Sequence, residues 1–119
     1  MEIFSRVQGN VTIVSIYGEL DIATAPIAQA KLESIVKSGH KNLVVDLSGL
    51  EGITSTGLAV IAHTFKLLRE QGGALRLANP KGIVKEVFDI WLGSLKEEAI
   101  RVYDSIQQAV RSFGAVESN

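Results

Sequence analysis

Residues 42–47 read Asn-Leu-Val-Val-Asp-Leu, a short run with an unbroken apolar centre. Such a run is typical of a strand that is covered on both faces, as strands in parallel sheets are. Residues 74–78 alternate between apolar and other side chains and predict a second strand, and residues 100–103 predict a shorter third one. Between these strands the apolar residues follow helical spacing, which indicates parallel strands joined by right-handed crossover helices.

The N-terminal part of the chain predicts a hairpin followed by a helix. Residues 3–7 and 11–17 favour strands, and Gln8-Gly9-Asn10 between them has the composition of a turn. Gly18 is expected to end the second strand. Thr24 is expected to cap the helix that follows.

The remaining elements complete an α/β domain. Residues 48–53 are predicted to form a loop, and Ser55 begins a helix that runs to about Gln71. A third helix follows the second central strand, and Asp104 with Gln107 resembles the capping box of a last helix. The order ββαβαβαβα predicts a mixed sheet of four to five strands with about four helices.

Length and composition restrict the classes of protein that this chain could be. Its 119 residues fit one domain, predicted over residues 1–113, with residues 114–119 as a flexible C-terminal tail. A formal net charge of -1 argues against a nucleic-acid binder held by phosphate contacts. The chain has no cysteine, lacks a signal-peptide pattern at its start and has no apolar run long enough to span a membrane, so we expect a soluble, cytoplasmic protein.

Residues with catalytic potential are present but do not form a known motif. The residue types of a hydrolase triad are present in Ser55, His63 and Asp46. However, residues 52–57 lack the G-x-S-x-G pattern. Neither His40 nor His63 has the companions that a metal site needs. We therefore expect no enzyme activity, metal or cofactor, and keep a small hydrolase that uses Ser55 as an alternative.

Three consecutive hydroxyl residues, Thr54-Ser55-Thr56, stand where the second helix is predicted to begin. Helix capping would account for one of them. Gly57 has no helix-propensity reason to be there, which indicates close approach of another backbone or protein. One face of this helix begins with small, uncharged residues, namely Ser55, Ala59, Ala62 and His63, before Lys66. This face is either a docking surface or a set of half-buried helix formers, and the residues alone leave both open.

Taken together, several stretches resemble the STAS domain, and specifically the bacterial anti-sigma-factor antagonists. The matching stretches follow one another in the family's order: residues 18–21, 43–50, 53–58, 72–77, 84–90 and 103–109. The resemblance spans roughly residues 3–112, so it depends on the whole series and on no single motif.

The resemblance implies a protein-binding switch. In this family an unmodified antagonist binds an anti-sigma factor that is also a serine kinase of the GHKL type and carries the ATP. The kinase phosphorylates a serine at the start of the second helix, the complex dissociates, and a phosphatase reverses the modification. By position Ser55 matches that serine, with Thr56 as the less favoured acceptor, and Thr54 stands where the family has an aspartate. Asp21 matches an acidic residue near the acceptor.

We therefore expect an anti-sigma-factor antagonist that phosphorylation at Ser55 switches off. The residues expected to bind the partner are Asp21, Thr54, Thr56, Gly57, Ala59, Ala62 and His63. The alternative within the same family is an accessory subunit of a transporter, or a stress-signalling scaffold, without the phosphoswitch. Neither nucleic-acid binding nor membrane insertion is expected.

Overall fold

Six strands and four helices alternate in residues 1–95 and 100–117, the part of the chain that the computed structural model describes; for residues 114–117 it describes the backbone only. The elements are β1 (Glu2–Gln8), β2 (Val11–Leu20), α1 (Ala25–Lys37), β3 (Asn42–Asp46), β4 (Leu50–Ile53), α2 (Ser55–Glu70), β5 (Ala74–Ala78), α3 (Gly82–Ser94), β6 (Arg101–Tyr103) and α4 (Ile106–Glu117). The α/β class and the predicted element order are confirmed, with β4 as an additional strand.

The sheet is mixed, as predicted, and β3 lies at its centre. The strand order is β1-β2-β3-β5-β6, in which β1 runs antiparallel to β2 and the other neighbours are parallel. Leu43 and Val45 pack into the larger core, which includes residues of α1, α2 and α3, while Val44 packs against α4 on the other face. The apolar centre of this strand is therefore buried on both faces, as its sequence indicated.

The prediction of a loop over residues 48–53 was wrong, because Leu50–Ile53 form β4. This short strand pairs in parallel with the end of β2, which continues past Gly18 to Leu20. The register shifts between Gly18 and Glu19, and Gly18 adopts φ 101°, a conformation that glycine accepts without steric cost. Strand β2 thus pairs with β3 along its first half and with β4 along its last residues, and the register shift leaves Glu51 of β4 unpaired.

Two predicted capping interactions differ in the structure. Thr24 occupies the N-cap position of α1, but its Oγ1 accepts the Asp21 N–H at 2.9 Å and donates to the Glu19 carbonyl at 2.8 Å. The Thr24 hydroxyl is therefore bonded within the tight turn before α1 and does not cap the helix. At α4 the Ser105 Oγ accepts the Gln108 N–H at 3.1 Å, so the cap lies one residue beyond the predicted Asp104 and Gln107 pair.

The predicted end of the domain at residue 113 stays a prediction. Helix α4 extends to Glu117, and residues 118 and 119 of the expected tail lie outside the described residues. Among the described residues, none of the helices is both long and apolar enough to cross a membrane.

Helix α2 is held against the end of β2 at a distance that only glycine permits. A Cβ atom built on Gly57 would lie 2.6 Å from the Leu20 carbonyl oxygen and 2.8 Å from the Ile53 Cγ1. The same Leu20 oxygen accepts the Thr54 N–H at 3.1 Å, so it cannot move away without losing that bond. The close backbone approach that the sequence indicated at Gly57 is therefore made by the chain itself.

Replacing Gly57 tests this packing. In an unconstrained helix, Gly→Ala adds up to about 1 kcal/mol of stability. Gly57→Ala should instead lower the free energy of unfolding by about 1–3 kcal/mol, because the added methyl group overpacks the contact with Leu20. Gly93→Ala in α3 is the matched control, since nothing lies within 4 Å of its built Cβ. Urea denaturation measures both; a Gly57→Ala chain as stable as the parent would contradict the close contact.

Candidate functional site

The N-terminus of α2 presents three hydroxyl groups to solvent. Thr54, Ser55 and Thr56 are all exposed, and Thr54, the N-cap residue, makes no side-chain capping bond. No hydrogen bond joins any of the three hydroxyls to another group in the described part of the chain, so the expectation that one of them caps the helix was wrong. The first turn of α2 also lacks an acidic residue. A helix start with open hydroxyls and no negative charge is ready to accept an anionic group.

The turn between β2 and α1 lies directly beside this helix start. The Thr54 N–H bond to the Leu20 carbonyl brings the two segments together. Half-buried Asp21 holds the turn, because its Oδ1 accepts the N–H groups of Ala23 at 3.0 Å and Thr24 at 3.1 Å. The next residue, Ile22, is consequently pushed outward, and 77% of its surface is exposed.

An open groove of about 690 Å³ runs from this point between α1 and α2. Ile22 and Pro26 line it on one side, and Thr56, Ala59 and His63 line it on the other. Ala59 is exposed and offers only a methyl group, which leaves the groove shallow and smooth. An apolar anchor beside a small-residue wall suits a protein partner better than a small molecule.

A hydrogen bond joins the two helices at the far end of the groove. The Nε2 of His63 lies 2.8 Å from the Oε2 of Glu33, and the Gln29 side chain donates to the same oxygen at 3.2 Å. The hydrogen bond from His63 lowers the pKa of the Glu33 carboxyl below its usual value. The carboxylate therefore stays charged to a lower pH than that of an isolated glutamate.

The structure brings together most of the residues that were expected to bind a partner. Thr56, Ala59 and His63 line the groove, and Thr54 and Asp21 belong to the two segments that the bond from Thr54 to Leu20 joins beside it. The other two, Ala62 and Gly57, lie elsewhere.

Ala62 is half-buried and does not line the groove. Gly57 is buried against Leu20, so its expected place among the partner-contacting residues is corrected: it positions the helix.

Sequence reasoning missed Ile22 and Glu33. Ile22 carried one available signal, since it is a large apolar residue among turn-forming neighbours and outside the apolar stripe of α1. Glu33 carried none, because its partner His63 is 30 residues away and meets it only through helix packing.

The residues considered for a hydrolase triad, Ser55, His63 and Asp46, do not contact one another as a triad would. The Nε2 of His63 bonds to Glu33, and Asp46, which is 5% exposed, accepts the Ser15 hydroxyl at 2.9 Å and the Ser48 N–H at 3.1 Å. Neither contacts the Ser55 hydroxyl. In residues 1–95 and 100–117 no group of three or more His, Asp or Glu side chains could hold a metal ion. The geometry thus favours Ser55 as a surface group and gives no support to its use as a nucleophile.

Comparison with known proteins shows which family this chain is similar to. The family model described as the STAS domain matches residues 3–109. The anti-sigma-B factor antagonist of Bacillus subtilis (strain 168) is 38% identical over 77 residues, which cover 65% of this chain and 70% of that protein.

Two solved structures share the fold. The crystal structure of an anti-sigma factor antagonist from Mycobacterium paratuberculosis superposes with a TM-score of 0.80 at 24% identity, covering 93% of this chain and 92% of that one. The phosphorylated form of the Bacillus cell fate determinant SpoIIAA superposes with a TM-score of 0.70 at 18% identity, covering 94% and 99%. Because the family model matches nearly the whole chain and the architecture agrees with these structures, the chain belongs to the STAS domain family.

Proposed function

We propose that this protein is an anti-sigma-factor antagonist that binds an anti-sigma factor of the GHKL serine-kinase type and is released when Ser55 is phosphorylated. The proposal depends mainly on the Ser55 hydroxyl, which is exposed at the start of α2 and makes no hydrogen bond within the described residues. It lies beside an open groove that is lined mainly by uncharged residues. The relative in Bacillus subtilis bears the name of an anti-sigma-B factor antagonist, which agrees with this role.

A phosphate on Ser55 is compatible with the fold. It would add about -1.5 to -2 charges at neutral pH. The helix start carries about +0.5 of a charge and free backbone N–H groups, and no acidic residue of the first turn opposes the phosphate. The likeness to a solved phosphorylated form of SpoIIAA agrees with a modification that leaves the architecture in place.

The same phosphate would act strongly on a partner docked at the groove. Thr56 follows Ser55 in the chain and lines the groove together with Ile22 and Ala59, which are uncharged, so a partner that covers both the groove and Ser55 would have to bury a dianion beside apolar groups. The charged residue of the neighbouring turn, Asp21, is itself negative and cannot neutralise the phosphate. Every 1.4 kcal/mol changes affinity about tenfold, so a penalty of about 3 kcal/mol lowers affinity about a hundredfold.

Ser55 is the better of the two candidate acceptors. Thr56 contributes to the wall of the groove, whereas Ser55 does not line it. Thr54 in place of the family's aspartate removes a carboxylate next to the acceptor and makes the helix start less negative. We infer that the kinase approaches over Thr54 and Ser55 while Ile22 and Ala59 anchor it.

Phosphorylation should occur at one defined site. Incubation with the cognate kinase and ATP should add one phosphate to the parent chain, and mass spectrometry of its fragments should place that phosphate on Ser55. Ser55→Ala should abolish the modification, while Thr56→Val should leave it intact. A phosphate on Thr56, or its persistence in Ser55→Ala, would contradict the assignment.

Charge, and not the loss of the hydroxyl, should break the complex. Ser55→Asp should weaken binding to the kinase by about a hundredfold, because it places a carboxylate on the docking surface. The Asn side chain in Ser55→Asn has nearly the same shape as Asp but no charge, so this variant should weaken binding by less than about tenfold. Isothermal titration calorimetry measures both affinities; equal effects of the two variants would argue against the electrostatic mechanism.

A large side chain on the groove wall should also prevent docking. Ala59→Arg should weaken kinase binding by about a hundredfold, since the guanidinium and its stem would fill the surface that the partner covers. Gln71→Arg adds the same charge at the exposed far end of α2 and should leave the affinity unchanged.

Surface plasmon resonance on folded variants separates these outcomes. Parent-like affinity of Ala59→Arg would place the interface elsewhere. If the parent chain captured a transporter ATPase and no kinase from its source cell, the accessory-subunit alternative would replace the proposal.

A further inference from the structure

Strand β1 forms one edge of the sheet and carries exposed apolar side chains. It pairs with β2 through an unbroken antiparallel register from Glu2 to Gln8, and no strand among the described residues pairs with its other side. Phe4 and Val7 are 57% and 62% exposed. The edge therefore presents a row of unpaired backbone groups next to apolar surface.

This edge lacks the usual features that prevent pairing with another strand. Natural edge strands are blocked by proline, by lysine, by bulges or by short length. Strand β1 spans 7 residues without a bulge and contains neither proline nor lysine. Its only charged residues are Glu2 and Arg6, which have opposite signs.

Both charges and the Phe4 ring lie on one face of the sheet. Arg6 stands opposite Ile13, whose side chain belongs to the core beneath α4, so the even-numbered residues of β1 point to the α4 side. Phe4 stands opposite Ser15 and makes an edge-to-face contact with Tyr17, with ring centroids 5.8 Å apart. Glu2, Phe4 and Arg6 thus form a row in which the ring separates two opposite charges.

Two-fold symmetry restricts how this strand could pair with its own copy. An antiparallel pair has its two-fold axis perpendicular to the sheet, so opposed residues lie on the same face and the axis passes through one residue position. An axis at Phe4 sets Glu2 opposite Arg6 of the second copy, at both ends of the pair. An axis at Ile3 or Ser5 pairs neither charge with its opposite, and an axis at Glu2 or Arg6 sets like charges against each other.

We propose that two copies of this chain associate through antiparallel pairing of their β1 strands, centred on Phe4, with reciprocal Glu2–Arg6 pairs. The sheet then continues from one copy into the other, and the two Phe4 rings cover each other beside their Tyr17 neighbours. The groove between α1 and α2 is not part of this contact, because both helices pack on the opposite face of the sheet. Association and partner binding are therefore independent properties.

Exchanging the two charges tests the register directly. The parent chain should show a monomer–dimer equilibrium in sedimentation velocity across a concentration series. Arg6→Glu and Glu2→Arg should each raise the dimer dissociation constant by about tenfold or more, because each sets like charges opposite each other. The double variant carrying both changes should restore the parent value. A parent chain that stays monomeric, or a double variant no better than the single ones, would overturn the proposal.

A cross-linking experiment locates the symmetry axis. The chain has no cysteine, so a single introduced thiol can react only with its copy. Opposed residues of an antiparallel pair have Cα atoms about 4.5–5.5 Å apart, a separation that a disulfide can bridge. Phe4→Cys should form a disulfide-linked dimer under mild oxidation, whereas the equally exposed neighbour in Ser5→Cys should not. Preferential cross-linking of Ser5→Cys would refute the proposed register.

Discussion

The hydrogen bond from the Thr54 N–H to the Leu20 carbonyl oxygen fixes the start of α2 against the end of β2. Gly57 packs on the same carbonyl at a distance that excludes any side chain, so the helix cannot withdraw or rotate without losing both contacts. This junction exists because β2 continues past Gly18 to Leu20 and pairs there with β4. The exposed hydroxyls, the Asp21 turn and the Ile22 side chain all take their positions from it.

The site combines a rigid support with a nearly neutral surface. The backbone amides at the helix start can bind a phosphate. The groove beside them offers a partner apolar contact, and no Lys or Arg side chain lines it. In the proposed switch, one added phosphate would therefore leave the fold of this chain unchanged and still exclude a partner. The Glu33–His63 hydrogen bond joins the two walls of the groove behind this position, so the groove is formed in the free chain.

The sequence predicted those features that depend on local pattern. The continuous apolar centre of β3 identified a strand buried on both faces, and Gly57 indicated the close approach of another backbone or protein, of which the structure shows the backbone of the chain itself. Strand β4 was missed because its four residues become a strand only by pairing with the end of β2, which is distant in sequence. The role of Thr24 was wrong because a preceding turn competes for its hydroxyl.

Nuclear magnetic resonance of the isotope-labelled chain, bound to the unlabelled, ATP-loaded kinase that the proposal requires, tests the proposed switch most directly. Cross-saturation from the kinase should reach the amides of Ile22 and of residues 54–59, and these effects should vanish when Ser55 is phosphorylated while the remaining spectrum keeps its folded pattern. Effects confined to α4 and β6, or an unchanged complex after phosphorylation, would contradict the account.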